Sequence, residues 1–204
     1  MITVKTREEF LSTIKEKLPP NPHCIELGVH QGHYSNLILN ILEPTCLCLV
    51  DPWTPGHDKH GQVEFYPHWG DTPLQTAYST NLDLDYVCRR FKSEIEEARV
   101  IVYKSFSYDA IYSFRDKSFD FIYIDACHIY EAVLWDLENY LPKLRAGGML
   151  CGHDYVDHPS FGVIRAVDEF CEKYGFEMCI LNTTFHFGGD WALIPKQQAL
   201  PDRT

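Results

Sequence analysis

Hydrophobic residues along the chain fall into short, mostly apolar runs separated by longer amphipathic stretches. Phe119–Ile124 reads FDFIYI, too short for a helix and rich in aromatic and β-branched residues, the pattern of a fully buried strand. Asp125 closes that run, and apolar positions at Val133, Leu134, Leu137 and Leu141 predict a helix after it. Pro142 and Gly147-Gly148 break the helix before a second buried run, Met149–Gly152, which leads into His153-Asp154. Strand, crossover helix and strand make a βαβ unit, whose parallel strands finish at one edge of the sheet. With direct pairing, their ends lie roughly 5 Å apart. Asp125 and Asp154 are therefore expected to converge where open α/β sheets bind ligands.

The same alternation continues on both sides. Thr6 is placed to cap a helix over Arg7–Leu18 that Pro19-Pro20 closes. His23–Leu27 is a buried strand, followed by the turn Gly28-Val-His-Gln-Gly32, a helix through about Leu42, and a strand over Cys46–Val50 ending at Asp51. Helices are predicted over Leu82–Ala98, Ser107–Phe114 and Gly162–Tyr174, with a strand at Val100–Tyr103. Phe176–Leu181 and Trp191–Ile194 finish as an antiparallel strand pair around Gly188-Gly189. The whole predicts a single doubly wound, Rossmann-like α/β domain of seven strands, mostly parallel. Trp53–Thr80 has no periodicity and is crowded with Gly, Pro, His and aromatics, so it reads as a lid or specificity insertion with a short helix near Thr72–Thr80.

The first turn narrows the ligand. Glycines at its start and an acid at the end of the next strand are the arrangement that seats a nucleotide over a helix N-terminus. The spacing GxGxxG is absent, however, and Glu26 precedes the first glycine. A carboxylate there repels a pyrophosphate, which disfavours a dinucleotide and its dehydrogenase chemistry and favours a phosphate-free nucleoside.

Composition removes further classes. A formal charge of -11 over 204 residues lacks the positive footprint that nucleic acid requires. The eight cysteines form no CxxC pair and sit mostly in apolar runs, as reduced core residues do. The N-terminus, MITVKTREEF, carries charge where a signal peptide is apolar, and no run is long enough to span a bilayer. A cytoplasmic protein with no membrane and no nucleic-acid partner is the expectation, and a homo-oligomer is compatible with it.

Glu26-Leu27-Gly28…Gly32, Asp51-Pro52-Trp53, Ser105–Ser107, Tyr123-Ile-Asp125 and Leu144-Arg-Ala-Gly147-Gly148, with the closing strand pair, resemble a class I S-adenosylmethionine-dependent methyltransferase. The nearest subgroup in style is the small-molecule O-methyltransferases, of the catechol and macrolide-sugar kinds. The resemblance spans all but the Trp53–Thr80 segment. His30 departs from the wider family, which often has glycine at mid-turn.

The resemblance implies a role for each of several residues. Glu26, Gly28 and Gly32 form the cofactor turn, with the acid attracting the cofactor's ammonium. Among His33, Tyr34 and Ser35 at the following helix start, Ser35 is favoured for the methionyl carboxylate. Asp51 would accept the ribose hydroxyls, Trp53 pack beside ribose or adenine, Ser107 and Tyr108 meet the adenine edge, and Asp125 count among the cofactor contacts as well. In metal-dependent members, three ligands at the ends of the fourth and fifth strands hold a divalent cation that binds the acceptor oxygen; the matching positions are Asp125, His153 and Asp154. Two carboxylates suit magnesium or calcium, whereas His153 in the middle either turns preference toward manganese, zinc or iron or is an outer group or base with no metal bound. His128, where related enzymes place a lysine, is a candidate general base together with Asp125.

His57, His60, His68 and His186 are further histidines expected near this edge, and Trp69, Tyr155 and Phe185 candidate acceptor walls. The implied activity is methyl transfer to a hydroxyl of a small acceptor, a sugar or phenol. A cephalosporin hydroxylase-like enzyme of the same fold and a non-catalytic cofactor-binding subunit are the alternatives.

Overall fold

Strand β1 (Ile2–Val4) precedes helix α1 (Arg7–Lys15), whose N-cap Thr6 accepts the Glu9 amide at 3.0 Å as the sequence predicts. A nine-residue helix is marginal by itself. Phe10, Leu11 and Ile14 are completely buried, and at ~1.5–3 kcal/mol each this packing, not propensity, holds α1 against the sheet. The computed structural model describes residues 1–53, 83–182 and 189–196. The insertion beyond Trp53 with its predicted helix, His57, His60, His68, Trp69, Phe185, His186 and Gly188 lie outside the described residues.

The remaining elements run β2 (His23–Leu27), α2 (His33–Leu42), β3 (Cys46–Asp51), a helical stretch over 83–90, α3 (Lys92–Glu96), β4 (Val100–Lys104), α4 (Ser107–Ala110), β5 (Phe119–Ile124), α5 (Tyr130–Tyr140), β6 (Leu144–Gly152), α6 (Val163–Tyr174), β7 (Phe176–Asn182) and β8 (Trp191–Pro195). They form one eight-stranded sheet in the order β1-β7-β8-β6-β5-β2-β3-β4. Only β8 is antiparallel to its neighbours, pairing with both β6 and β7. The sheet has one strand more than expected: β1 adds parallel to β7 at the edge, too short to leave a periodic signal. Strand β6 also begins earlier than predicted, at Leu144. The glycine pair does not break it but makes an irregularity against β5, where a Cβ on Gly148 would lie 2.8 Å from the Asp120 carbonyl oxygen.

Side-chain alternation gives the sheet two buried faces. Cys24, Leu47, Leu49, Phe121, Tyr123 and Met149 pack against α1, α2 and the 83–91 stretch. Ile25, Leu27, Val50, Ile122, Ile124 and Leu150 pack against α4, α5 and α6. Strand order reverses between β2 and β5, and the crevice beyond the carboxyl ends of that pair is where such sheets bind ligands.

Candidate active site

Glycine is required where the first turn meets the central strand. Gly28 has φ 86°, and a Cβ there would lie 2.0 Å from the Asp125 carbonyl oxygen. The turn is drawn onto the strand ends by bonds from the Gly28 amide to Val50 O (2.9 Å) and from the Asp125 amide to Leu27 O (2.8 Å). Gly32, φ 70°, makes room for the ring of Phe91.

Asp51 shapes the same turn from the side. Its Oδ2 accepts the amides of Val29 and His30, both at 2.9 Å, and Oδ1 accepts that of Trp53 at 2.8 Å. Burial raises its pKa, and the three backbone bonds pull against that rise. Trp53 differs from expectation: its indole is tucked beneath the turn with 2% of the residue exposed, its Nε1 donating to His30 O at 2.8 Å. It supports the turn from below instead of offering a face to a ligand.

Glu26 and Ser35, two expected cofactor contacts, meet each other. Both are buried, and the Ser35 hydroxyl donates to Glu26 Oε2. Burial pushes the Glu26 carboxyl up to about 8, partly offset by that hydrogen bond. The Ser35 donor is thus already engaged inside the protein. Ser107 and Tyr108 follow β4, whose end pairs with Asp51, and so belong to the same edge. Ser107 is buried with its carbonyl accepting the Tyr140 hydroxyl at 2.8 Å, and Tyr108 stacks on Phe106 with ring centroids 5.2 Å apart.

The two acids of the central unit converge as predicted. Strands β5 and β6 pair directly, Ile124 opposite Gly152. Asp154 follows with φ 58°, a left-handed conformation that aspartate tolerates better than most residues. Ligating atoms of Asp125, His128 and Asp154 lie within 4.8 Å of one another. His128 takes the place expected for His153 in this trio. His153 flanks it, with Nδ1 3.3 Å from Asp154 Oδ1 and 3.8 Å from Asp125 Oδ1.

Burial disfavours a charged His128, but hydrogen bonds to Asp125 and Asp154 outweigh it and hold the imidazole at about 9. Near neutrality the ring therefore carries its proton, which is the wrong state for the expected general base. Burial alone would raise Asp154, yet the two imidazoles hold it well below the usual carboxylate range. Two carboxylates and an imidazole at this separation fit a divalent cation, which would take the place of the His128 proton.

One participant leaves no mark in the hydrophobic pattern. Arg7, the first residue of α1, reaches Asp125 Oδ2 at 3.8 Å and Asp190 Oδ1 at 3.1 Å. Nothing in the local sequence around position 7 signals this, because its partners are remote strand ends.

Residues 25–155, well over half of the chain, match the methyltransferase domain family, and the chain belongs to it. It is a class I S-adenosylmethionine-dependent methyltransferase. No curated protein matches it in sequence. Among solved structures it is similar to the O-methyltransferase NovP, at 20% identity and TM-score 0.63, covering 94% of this chain and 80% of that one. An rRNA methylase from Streptococcus thermophilus aligns over 93% of this chain and 94% of its own, at 13% identity and TM-score 0.58. Fibrillarin from Aeropyrum pernix, solved with S-adenosylmethionine, aligns over 92% and 74%, at 10% and 0.58. At these identities the likeness carries the fold and not the substrate. No helix of the described residues is long and apolar enough to cross a membrane, and none of the eight cysteines is in a disulfide.

Proposed function

We propose that this methyltransferase acts on a hydroxyl of a small acceptor, of the sugar or phenol kind, with a divalent cation held by Asp125, His128 and Asp154. The observation that carries the reading is the convergence of those three side chains at the ends of β5 and β6, beside the Gly28 turn. Transfer from a sulfonium to an alcohol needs an in-line alignment and a hydroxyl that gives up its proton. When bound, a cation supplies the second requirement by lowering the pKa of the hydroxyl. Asp125 and Asp154 offer the charge that holds it, and His128 offers Nε2 once its own proton has left. With Nδ1 turned to the carboxylates, His153 would take the acceptor proton on Nε2; against burial those carboxylates raise its pKa as they do that of His128, so the role requires a cation that claims their charge.

Turnover of methyl-labelled S-adenosylmethionine on a panel of catechols and sugars tests it, with and without a chelator. Label on oxygen, lost with chelator and restored by manganese or magnesium, is the expected result. Label on nitrogen or carbon, or transfer indifferent to the chelator, overturns it.

A further inference from the structure

Arg7 is pinned on three sides. Its Nε donates to Asp190 Oδ1 at 3.1 Å, its Nη2 to the Tyr123 hydroxyl at 2.5 Å, and its guanidinium carbon lies 3.9 Å above the Tyr34 ring. Asp190 is wholly buried and is itself held by Asn182 Nδ2 at 3.0 Å. An arginine has five N–H donors. Nε and Nη2 are taken up on the protein side, Nη2 lying also 3.1 Å from Asp190 Oδ1 and 3.8 Å from Asp125 Oδ2, whereas Nη1 donates to none of the described residues, and 27% of the side chain remains exposed. The guanidinium thus stands between the start of α2, which carries Tyr34, and Asp125, against whose backbone the Gly28 turn packs.

S-adenosylmethionine brings one anionic group to this crevice, the carboxylate of its methionine end. Most described side chains that converge here are acids: Glu26, Asp51, Asp125, Asp154 and Asp190. His128 and His153 face two of them, and the Ser35 hydroxyl is committed to Glu26. We propose that Arg7 binds the methionyl carboxylate through Nη1. Asp190, Tyr123 and Tyr34 position the fork, so that little side-chain freedom is lost when the ligand arrives. The inference rests on the cofactor assignment and is independent of the acceptor and the cation.

Calorimetric titration of the full chain with S-adenosylhomocysteine and with its decarboxylated analogue, which lacks that carboxylate alone, tests it. Arg7→Gln should weaken S-adenosylhomocysteine by about 10- to 100-fold, the scale of a lost charge-assisted hydrogen bond, and leave the analogue unchanged. Arg7→Lys keeps the charge facing Asp190 and covers the case in which Arg7→Gln does not fold. It should lose part of the affinity for S-adenosylhomocysteine and none for the analogue. Equal weakening of both ligands, or of neither, overturns the assignment and leaves Arg7 a structural residue. Wild-type protein that binds neither ligand instead overturns the cofactor assignment itself, and this inference with it.

Discussion

His128 Nε2 lies 2.9 Å from Asp154 Oδ2, although the two residues follow different strands of the sheet. The pairing raises the imidazole from its ordinary 6.5 to about 9. Below pH 6.5 the ring is protonated whether the chain is folded or not, and the contribution to stability is complete. Between 6.5 and 9 only the folded chain keeps the proton, so the contribution shrinks as pH rises and is gone above 9. The full linkage is on the order of 3 kcal/mol. In chelator, urea midpoints should fall across this window, and His128→Gln should reduce the slope. A variant whose slope matches the wild type would deny the pairing.

Asp125→Asn with Asp154→Asn removes both charges from the trio while keeping its shape. Asparagine also tolerates the left-handed backbone at position 154, so the fold should persist. Manganese affinity should drop by ~100-fold or more, with affinity for S-adenosylhomocysteine within about threefold of wild type. Joint loss of both affinities would show that the two subsites are not separate.

Most of this site was legible in the residues because strands announce themselves. β2, β3 and β5 are short, mostly apolar runs, broken only by Glu26 in β2 and Asp120 in β5, and each ends at a turn or an acid that the site uses. Direct pairing of β5 with β6 then follows from connectivity, and it brings Asp125 to Asp154. What the pattern does not contain is rotation and depth. Period-two alternation puts Glu26 on the face that packs α2, but not that Ser35 waits there for it. Nor does it distinguish His128 from His153 as third member of the cluster, since both follow strand ends and only the loop path decides. Arg7 and Asp190 were invisible for the same reason, being brought together by the packing of α1 on the sheet.

Asp51→Ala leaves the amides of Val29, His30 and Trp53 without their shared acceptor. The turn should loosen and affinity for S-adenosylhomocysteine should fall more than about tenfold. Because the Trp53 indole bonds to His30 O, its fluorescence should shift to the red at the same time. Unchanged affinity with a shifted emission would mean that the turn can move without harm to the cofactor.

Gly28→Ala forces a methyl group to within 2.0 Å of the Asp125 carbonyl oxygen, and at φ 86° the backbone resists it as well. Neither obstacle is a flexible side chain, so β2 and β5 must separate at their ends. The expected cost exceeds about 3 kcal/mol by urea denaturation. A loss below 1 kcal/mol would show that the strand ends are not in firm contact.

Glu26 supplies a second pH dependence that can be separated from that of His128. Burial raises its carboxyl from 4.5 to about 8, against the pull of the Ser35 hydroxyl. Between those values the folded chain keeps a proton that the unfolded chain has lost, so stability again declines as pH rises, and the decline is complete near 8. Glu26→Gln is neutral, nearly isosteric and still able to accept from Ser35. Its urea midpoint should match the wild type at pH 4.5 and exceed it by a growing margin up to pH 8.5, reaching a few kcal/mol. An offset equal at both pH values would mean that Glu26 does not titrate in this window. The same variant decides whether the acid reaches the cofactor's ammonium, as the first turn alone suggests. A direct ionic contact predicts that Glu26→Gln weakens S-adenosylhomocysteine binding more at pH 8.5 than at pH 6, whereas a carboxyl sealed against Ser35 predicts the same small change at both.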